Sequence, residues 1–357
     1  MPQDSFLRIY LVSKMRWLVS LNDWNFLLLK GSFSRRTNCP RRKIRSKTGI
    51  HLPHIPEESG ELATRTIELL KTANETGIQV FADVSLRTPT HLGLKSLSEL
   101  KKLGVIGLRL DDFFENETIL KLSKDFKLAL NASTFLEDDL FALLEAGLNA
   151  NQLIGWHNFY PRQETGLSYS FFQSQNELFR RFGIPISAYI PGDGEKRGPL
   201  FNGLPTLEDH RQLEPYHAAL ELFQAGVEDV YIGDPAVSEA LLHRLIDFDQ
   251  HHYVSIRIQG YQGGVFQLRP DFSRDILRFL DTRSLENIPP ENTKARPTGT
   301  ITRDNDLYGR YRGEVQITLC DLPADERVNV IGKVVDADIP LLSLLKPYQK
   351  IKLIHVP

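Results

Sequence analysis

Acidic, amide, histidine and arginine side chains recur in this chain at one kind of place, directly after a short apolar run. The fullest case is WHNFYPRQETGLS at residues 156–168. The apolar run 153–156 stops at His157 and Asn158, and a polar turn then carries Tyr160, Arg162 and Glu164. Thr165 or Ser168 can cap the helix that follows. Other runs end at His54 and Glu57, at Asp83, at Arg109 and Asp111, at Asn131, at Asp193 and Arg197, and at Asp234. Taken singly, Asp83, Asp111 and Asp234 read equally well as helix caps or salt-bridge partners. Taken together, acids on separate run ends suit carboxylate chemistry. Glycoside cleavage is one such chemistry, since it needs a protonated acid at the leaving oxygen and an ionised carboxylate across the ring.

A second stretch, PGDGEKRGPLFNGLPTLEDHR at residues 191–211, pairs glycines with cations. Gly192, Gly194 and Gly198 would let backbone approach a ligand closely, and Lys196 and Arg197 would hold a phosphate or carboxylate there. An ordinary glycine-rich loop with a solvated charge pair has the same composition. A helix is expected over 207–225, with Glu208 in its first turn complementing the helix dipole.

Other chemistries find less support. His157 has no second histidine at ligand spacing, and HExxH and cysteine clusters are absent, so no metal or other cofactor is expected. A Mg²⁺ site built from Asp83 and Asp111 is the metal alternative. No GxSxG elbow supports a nucleophilic serine.

The elements that must carry these residues follow a βα rhythm from residue 48 onward. Strands are expected at 49–51, 79–82, 105–110, 127–130, 153–156, 184–190 and 230–232. Helices are expected near 61–75, 97–103, 136–146, 207–225 and 239–248. A further strand at 7–12 would complete a (β/α)8 TIM-like barrel, in which catalytic groups sit at the C-terminal strand ends. A doubly wound sheet is the rival, but no GxGxxG follows the first strand. After residue 251 the pattern turns mostly β, with helical content near 273–280 and 341–344. This predicts a barrel over 1–250, its first βα unit (about 1–47) divergent, and a small β domain over 251–357.

The 357 residues are 41% hydrophobic and 25% charged with a net charge of −2, so a sizeable core is expected and nucleic acid is not an expected partner. Cys39 and Cys320 are too few for a disulfide framework and fit a reducing compartment. The apolar stretch 6–29 is broken by Lys14, Arg16 and Asp23, which argues against a membrane span or signal peptide. A cytoplasmic protein without a membrane partner is expected. The basic run 35–47 reads as an anion-binding patch or as a poorly packed stretch.

Several motifs carry a resemblance beyond this reading. WHNFYPRQETGLS, PGDGEKRGPLFNGLPTLEDHR, YIGDP, GLRLDD and LNAST resemble the former "outer surface protein" family, now associated with 6-phospho-N-acetylmuramidase activity. DNDLYGRYRGEVQI and DLPADERVNVIGKV look like that family's second, cyclophilin-like domain. The likeness runs from about residue 48 to 357, and the pattern diverges before it. It implies a glycosidase of cell-wall salvage that cleaves N-acetylmuramic acid 6-phosphate–N-acetylglucosamine. Under that reading Asp111 and Glu164 are the expected catalytic pair. Asp83, Arg109, Asn131, His157, Asn158, Tyr160, Arg162, Asp193, Arg197 and Asp234 are the expected substrate-binding set. The arginines would meet the phosphate and the lactyl carboxylate. A phosphosugar lyase or aldolase, or a non-catalytic ligand-binding or scaffold protein, is the alternative.

Overall fold

The computed structural model describes residues 32–34, 47–51, 60–75 and 77–357. The expected strand at 7–12, His54, Glu57, Cys39 and most of the basic run lie outside the described residues. The chain packs as two compact units, Met1–Ser238 and Glu239–Pro357.

The first unit is a curled α/β sheet in the order β1-β8-β7-β6-β5-β4-β3-β2. Its strands are β1 (Ser32–Ser34), β2 (Lys47–His51), β3 (Gln79–Val84), β4 (Val105–Leu110), β5 (Lys127–Asn131), β6 (Leu153–Trp156), β7 (Ile186–Ile190) and β8 (Asp229–Ile232). From β2 to β8 each strand pairs parallel with the next in sequence. That is the pairing expected of strands joined by helical crossovers. Eight parallel barrel strands are not shown, however. β1 is short, lies antiparallel to β8 and stands at the end of the order opposite β2.

The helices are α1 (Gly60–Glu75), α2 (Thr88–His91), α3 (Asn116–Ser123), α4 (Glu137–Glu145), α5 (Tyr169–Arg181) and α6 (Pro215–Gln224). Ser168 caps α5 by accepting from the Phe171 amide at 3.3 Å. Two stretches differ from expectation. The stretch 97–103 is a 3-10 helix. The helix expected from residue 207 begins only at Pro215, after a single 3-10 turn at Glu208–His210. Proline disfavours helical backbone in the residue before it, so Glu214 is extended and caps α6.

The sheet interior is aromatic. Trp156, Phe81, Tyr189 and Tyr231 are all buried, with Trp156 stacked on Tyr231 at 4.2 Å between ring centroids. Phe81 meets Trp156 edge-on at 5.6 Å, so the four rings form one packed group.

The second unit begins with α7 (Glu239–His251) and holds β9 (Val254–Gln259), β10 (Gly264–Gln267), β11 (Ile276–Arg278), β12 (Thr300–Asp304), β13 (Val315–Thr318), β14 (Val328–Val334) and β15 (Lys350–His355). They form one sheet in the order β10-β15-β9-β14-β12-β13-β11. The stretch 273–280, expected to be helical, instead holds β11, whose buried Leu277 pairs with Ile317 across the sheet. Asp338 ties this unit together. It is fully buried and accepts from Arg244 at 2.9 Å and from the side chain and amide of Arg257 at 2.6 and 2.7 Å.

Candidate active site

The β3–β4 register sets Asp83 beside Arg109 at the strand ends. Arg109 is 2% exposed, and a buried guanidinium must be paired. Its Nη1 lies 3.5 Å from Asp83 Oδ2 and 2.9 Å from Asp111 Oδ1. Its Nη2 donates to Asn158 Oδ1. Burial opposes the charge, but Asp83 and Asp111 outweigh it and hold Arg109 protonated beyond its ordinary range. Asp83 is buried, whereas Asp111 stands at the exposed rim. The cation between the two acids occupies the space that a Mg²⁺ bridging them would need, which argues against that metal reading. Among the described residues no three His, Cys, Asp or Glu side chains group as metal ligands.

Tyr189 underlies this cluster. Its hydroxyl is pushed well above its usual range, first by burial and then by Asp83. Phe159 packs edge-on against Tyr189 at 5.3 Å, and Arg197 lies over the Phe159 ring at 5.7 Å. The Arg197 guanidinium makes no hydrogen bond or ion pair among the described residues. Burial lowers its proton affinity, and Asp83 and Asp234 act against that. The structure thus brings Asp83, Arg109, Asp111, Asn158 and Arg197 together. Tyr189 and Phe159 escaped the run-end pattern, because an aromatic in an apolar run reads as core.

Other expected site residues have structural tasks. His157 is fully buried between Ser133 Oγ at 3.1 Å and Asn176 Oδ1 at 2.8 Å. Burial drops its pKa to about 4, with Arg109 adding to the effect against the Asn176 bond. Both of its ring nitrogens are taken up by the Ser133 and Asn176 side chains. Asn176 Oδ1 can only accept, so Nε2 carries the proton, and the Ser133 hydroxyl then donates to Nδ1 while accepting the Asn158 amide at 2.9 Å. Asn131 folds its own turn by accepting the Ser133 amide at 3.1 Å. Asp193 is taken up by the Ser238 amide at 2.7 Å.

Asp234 is buried and holds the glycine-rich loop. It accepts the Gly192 amide at 2.9 Å and the Arg197 amide at 3.1 Å, with Lys196 Nζ at 3.7 Å. The glycines serve packing here. A Cβ on Gly192 would lie 2.3 Å from the Ala236 carbonyl, so the close approach is to the next loop rather than to a ligand. A cavity of about 270 Å³ opens beside this loop, lined in part by Lys196, Phe201, Asn202 and Arg211. It adjoins the loop and does not include Asp83, Arg109 or Asp111.

Tyr160, Arg162 and Glu164 lie on the loop after β6. Tyr160 is half-buried, and Arg162 and Glu164 are exposed. The Glu164 carboxylate has no hydrogen bond or ion pair among the described residues, and no contact joins it to Asp111.

Two family models cover the chain. One for the N-terminal part of 6-phospho-N-acetylmuramidase matches residues 47–247, and one for its C-terminal part matches residues 248–354. A crystal structure of a conserved Enterococcus faecalis protein of unknown function is 36% identical, with a TM-score of 0.76 over 86% of this chain and 88% of that one. An uncharacterized B. cereus protein is 26% identical, with a TM-score of 0.67 over 87% of this chain and 90% of that one. No curated protein sequence matches the chain.

Proposed function

The chain belongs to the 6-phospho-N-acetylmuramidase family, and from that premise we propose that it hydrolyses N-acetylmuramic acid 6-phosphate–N-acetylglucosamine. Water adds across the glycosidic bond, and the products are the phosphorylated muramyl sugar and N-acetylglucosamine. The observation that carries this reading is Arg197. Its guanidinium leans over Phe159 toward the Asp83–Arg109–Asp111 cluster with no hydrogen-bonded partner of its own among the described residues. A substrate carrying phosphate and a lactyl carboxylate supplies that partner.

Asp111 is our choice for the ionised carboxylate, since its ion pair with Arg109 suits a base, nucleophile or charge stabiliser better than a proton donor. Glu164, whose carboxylate has no hydrogen bond or ion pair among the described residues, is our choice for the proton donor to the leaving oxygen. The cavity beside Lys196 is the candidate seat of one sugar ring. In the same reading the first unit is a (β/α)8 barrel, the second is cyclophilin-like, and the protein works in cytoplasmic salvage of cell-wall fragments.

The test is release of N-acetylglucosamine by the full chain from the phosphorylated disaccharide, with the unphosphorylated disaccharide as control. Release from the phosphorylated form alone supports the proposal. Equal release from both removes the phosphate specificity, and binding without release makes the protein a non-catalytic binder.

A further inference from the structure

We propose that Glu208 and Arg211 are positioning residues that clamp the loop carrying Tyr160, Arg162 and Glu164 in its working conformation. The proposal rests on the glycosidase reading above and extends it to two residues outside the Asp83–Arg109–Asp111 cluster, of which Arg211 also lines the cavity beside Lys196.

Arg211 is buried, and its guanidinium is fully employed. It meets Glu208 in a forked pair, Nε to Oε1 at 2.6 Å and Nη2 to Oε2 at 2.7 Å. The same guanidinium gathers main-chain carbonyls from both loops. It donates to Tyr160 O at 3.0 Å and Arg162 O at 3.1 Å on one side, and to Gly203 O at 3.1 Å on the other. Glu208 completes the hold from the acceptor side. Its two oxygens take the amides of Glu164 at 3.0 Å and Gly166 at 2.7 Å. Arg211 above all, with those two amides, lowers the Glu208 pKa to about 2, so the carboxylate stays charged at any working pH.

The geometry being held is one the loop would not keep by itself. Glu164 has φ 67°, left-handed backbone that is uncommon for a residue with a Cβ. Gly166 has no room for a side chain, because a Cβ there would sit 2.5 Å from Glu208 Oε2. An ordinary surface ion pair would tie one side chain to another. This pair instead binds four main-chain groups of the Glu164 loop, two carbonyls and two amides. It therefore sets the direction of Glu164 through main-chain bonds.

The experiment compares the full wild-type chain with Glu208→Ala and Gly166→Ala. The second variant leaves the carboxylate in the chain but forces the two loops apart, since its Cβ would lie 2.5 Å from Glu208 Oε2 and 2.7 Å from the Glu208 amide nitrogen. Turnover of the phosphorylated disaccharide and amide hydrogen exchange are both measured. Misplacement by an ångström can cost about 100-fold, so kcat should fall by about 10- to 100-fold in both variants, with KM moving far less. Exchange at Glu164 and Gly166 should quicken, while the strand-end amide of His157 stays protected. Wild-type kcat in both variants would overturn the clamp, as would exchange that quickens equally across the strands. Should the wild type not turn the disaccharide over, the glycosidase reading fails separately. The exchange arm alone then upholds or overturns the clamp.

Discussion

Arg109 makes the strand-end acids unequal. It is buried between Asp83 and Asp111, so one carboxylate is sealed with it while the other faces solvent. If the exposed one does the chemistry, Asp111→Asn should remove turnover by about 10²–10⁴-fold, the usual worth of an acid–base group, with the thermal midpoint little changed. A loss under about threefold would reject Asp111. Arg197 is the reverse case, a guanidinium with no hydrogen-bonded partner among the described residues. A charge-assisted hydrogen bond contributes about 1.5–3 kcal/mol. Arg197→Ala should therefore weaken the phosphorylated disaccharide about 10- to 100-fold, measured as kcat/KM, and the unphosphorylated one much less. Equal losses would mean that Arg197 shapes the loop or meets the lactyl carboxylate instead.

Elements in this chain are joined by charges at their ends as much as by apolar faces. Asp338, in the 3-10 segment Asp336–Leu344, receives Arg244 from α7 and Arg257 from β9. Removing this buried acid leaves the buried Arg244 guanidinium uncompensated, while the half-buried Arg257 can turn to water. Breaking such a pair costs about 3–5 kcal/mol. Asp338→Ala should lower stability by that amount in denaturant titration, and a cost under about 1 kcal/mol would show that water replaces the carboxylate easily. Within the first unit the 3-10 turn at Glu208–His210 has the corresponding part, since it carries Glu208 to the loop after β6.

Across the molecule the two units differ in their buried titrating groups, and pH should act on them differently. In the second unit Asp304 is buried at the end of β12. Burial raises its pKa to about 7, Glu314 adds to the rise, and the Gln316 bond at 3.1 Å opposes it. The folded carboxyl holds its proton more tightly than the unfolded one. Below about pH 4 both states are protonated and the group contributes nothing unfavourable. As pH rises toward 7 the unfolded state ionises first and folded stability falls. Asp304→Asn should therefore stabilise the protein above pH 7 by roughly 2–4 kcal/mol. The gain should vanish near pH 4. A pH-independent difference in unfolding free energy would show that Asp304 acts through packing alone. Among the described residues no helix is long and apolar enough to cross a membrane.

Part of this organisation is legible in the amino-acid order itself. Apolar runs that stop at Asp83, Arg109, Asn131 and His157 read as strands delivering polar groups to one edge, because side chains follow local period and short-range sterics. The long motifs carried the family for the same reason: they are contiguous. What the chain could not disclose locally was which charges remain available. Asp234 meets the Gly192 amide from 42 positions away, Asp193 meets Ser238 across 45, and Glu208 reaches Gly166 across 42. Partners that distant are chosen by strand order and loop packing, and nothing in the spacing of either residue signals them. The amino-acid order determined that the strand ends would be polar. Tertiary structure decided that Asp234, Asp193 and His157 are taken up by groups of the fold, that Arg109 is paired with two acids, and that Arg197 is left facing the cluster, because pairing energy depends on which groups burial brings within a few ångströms.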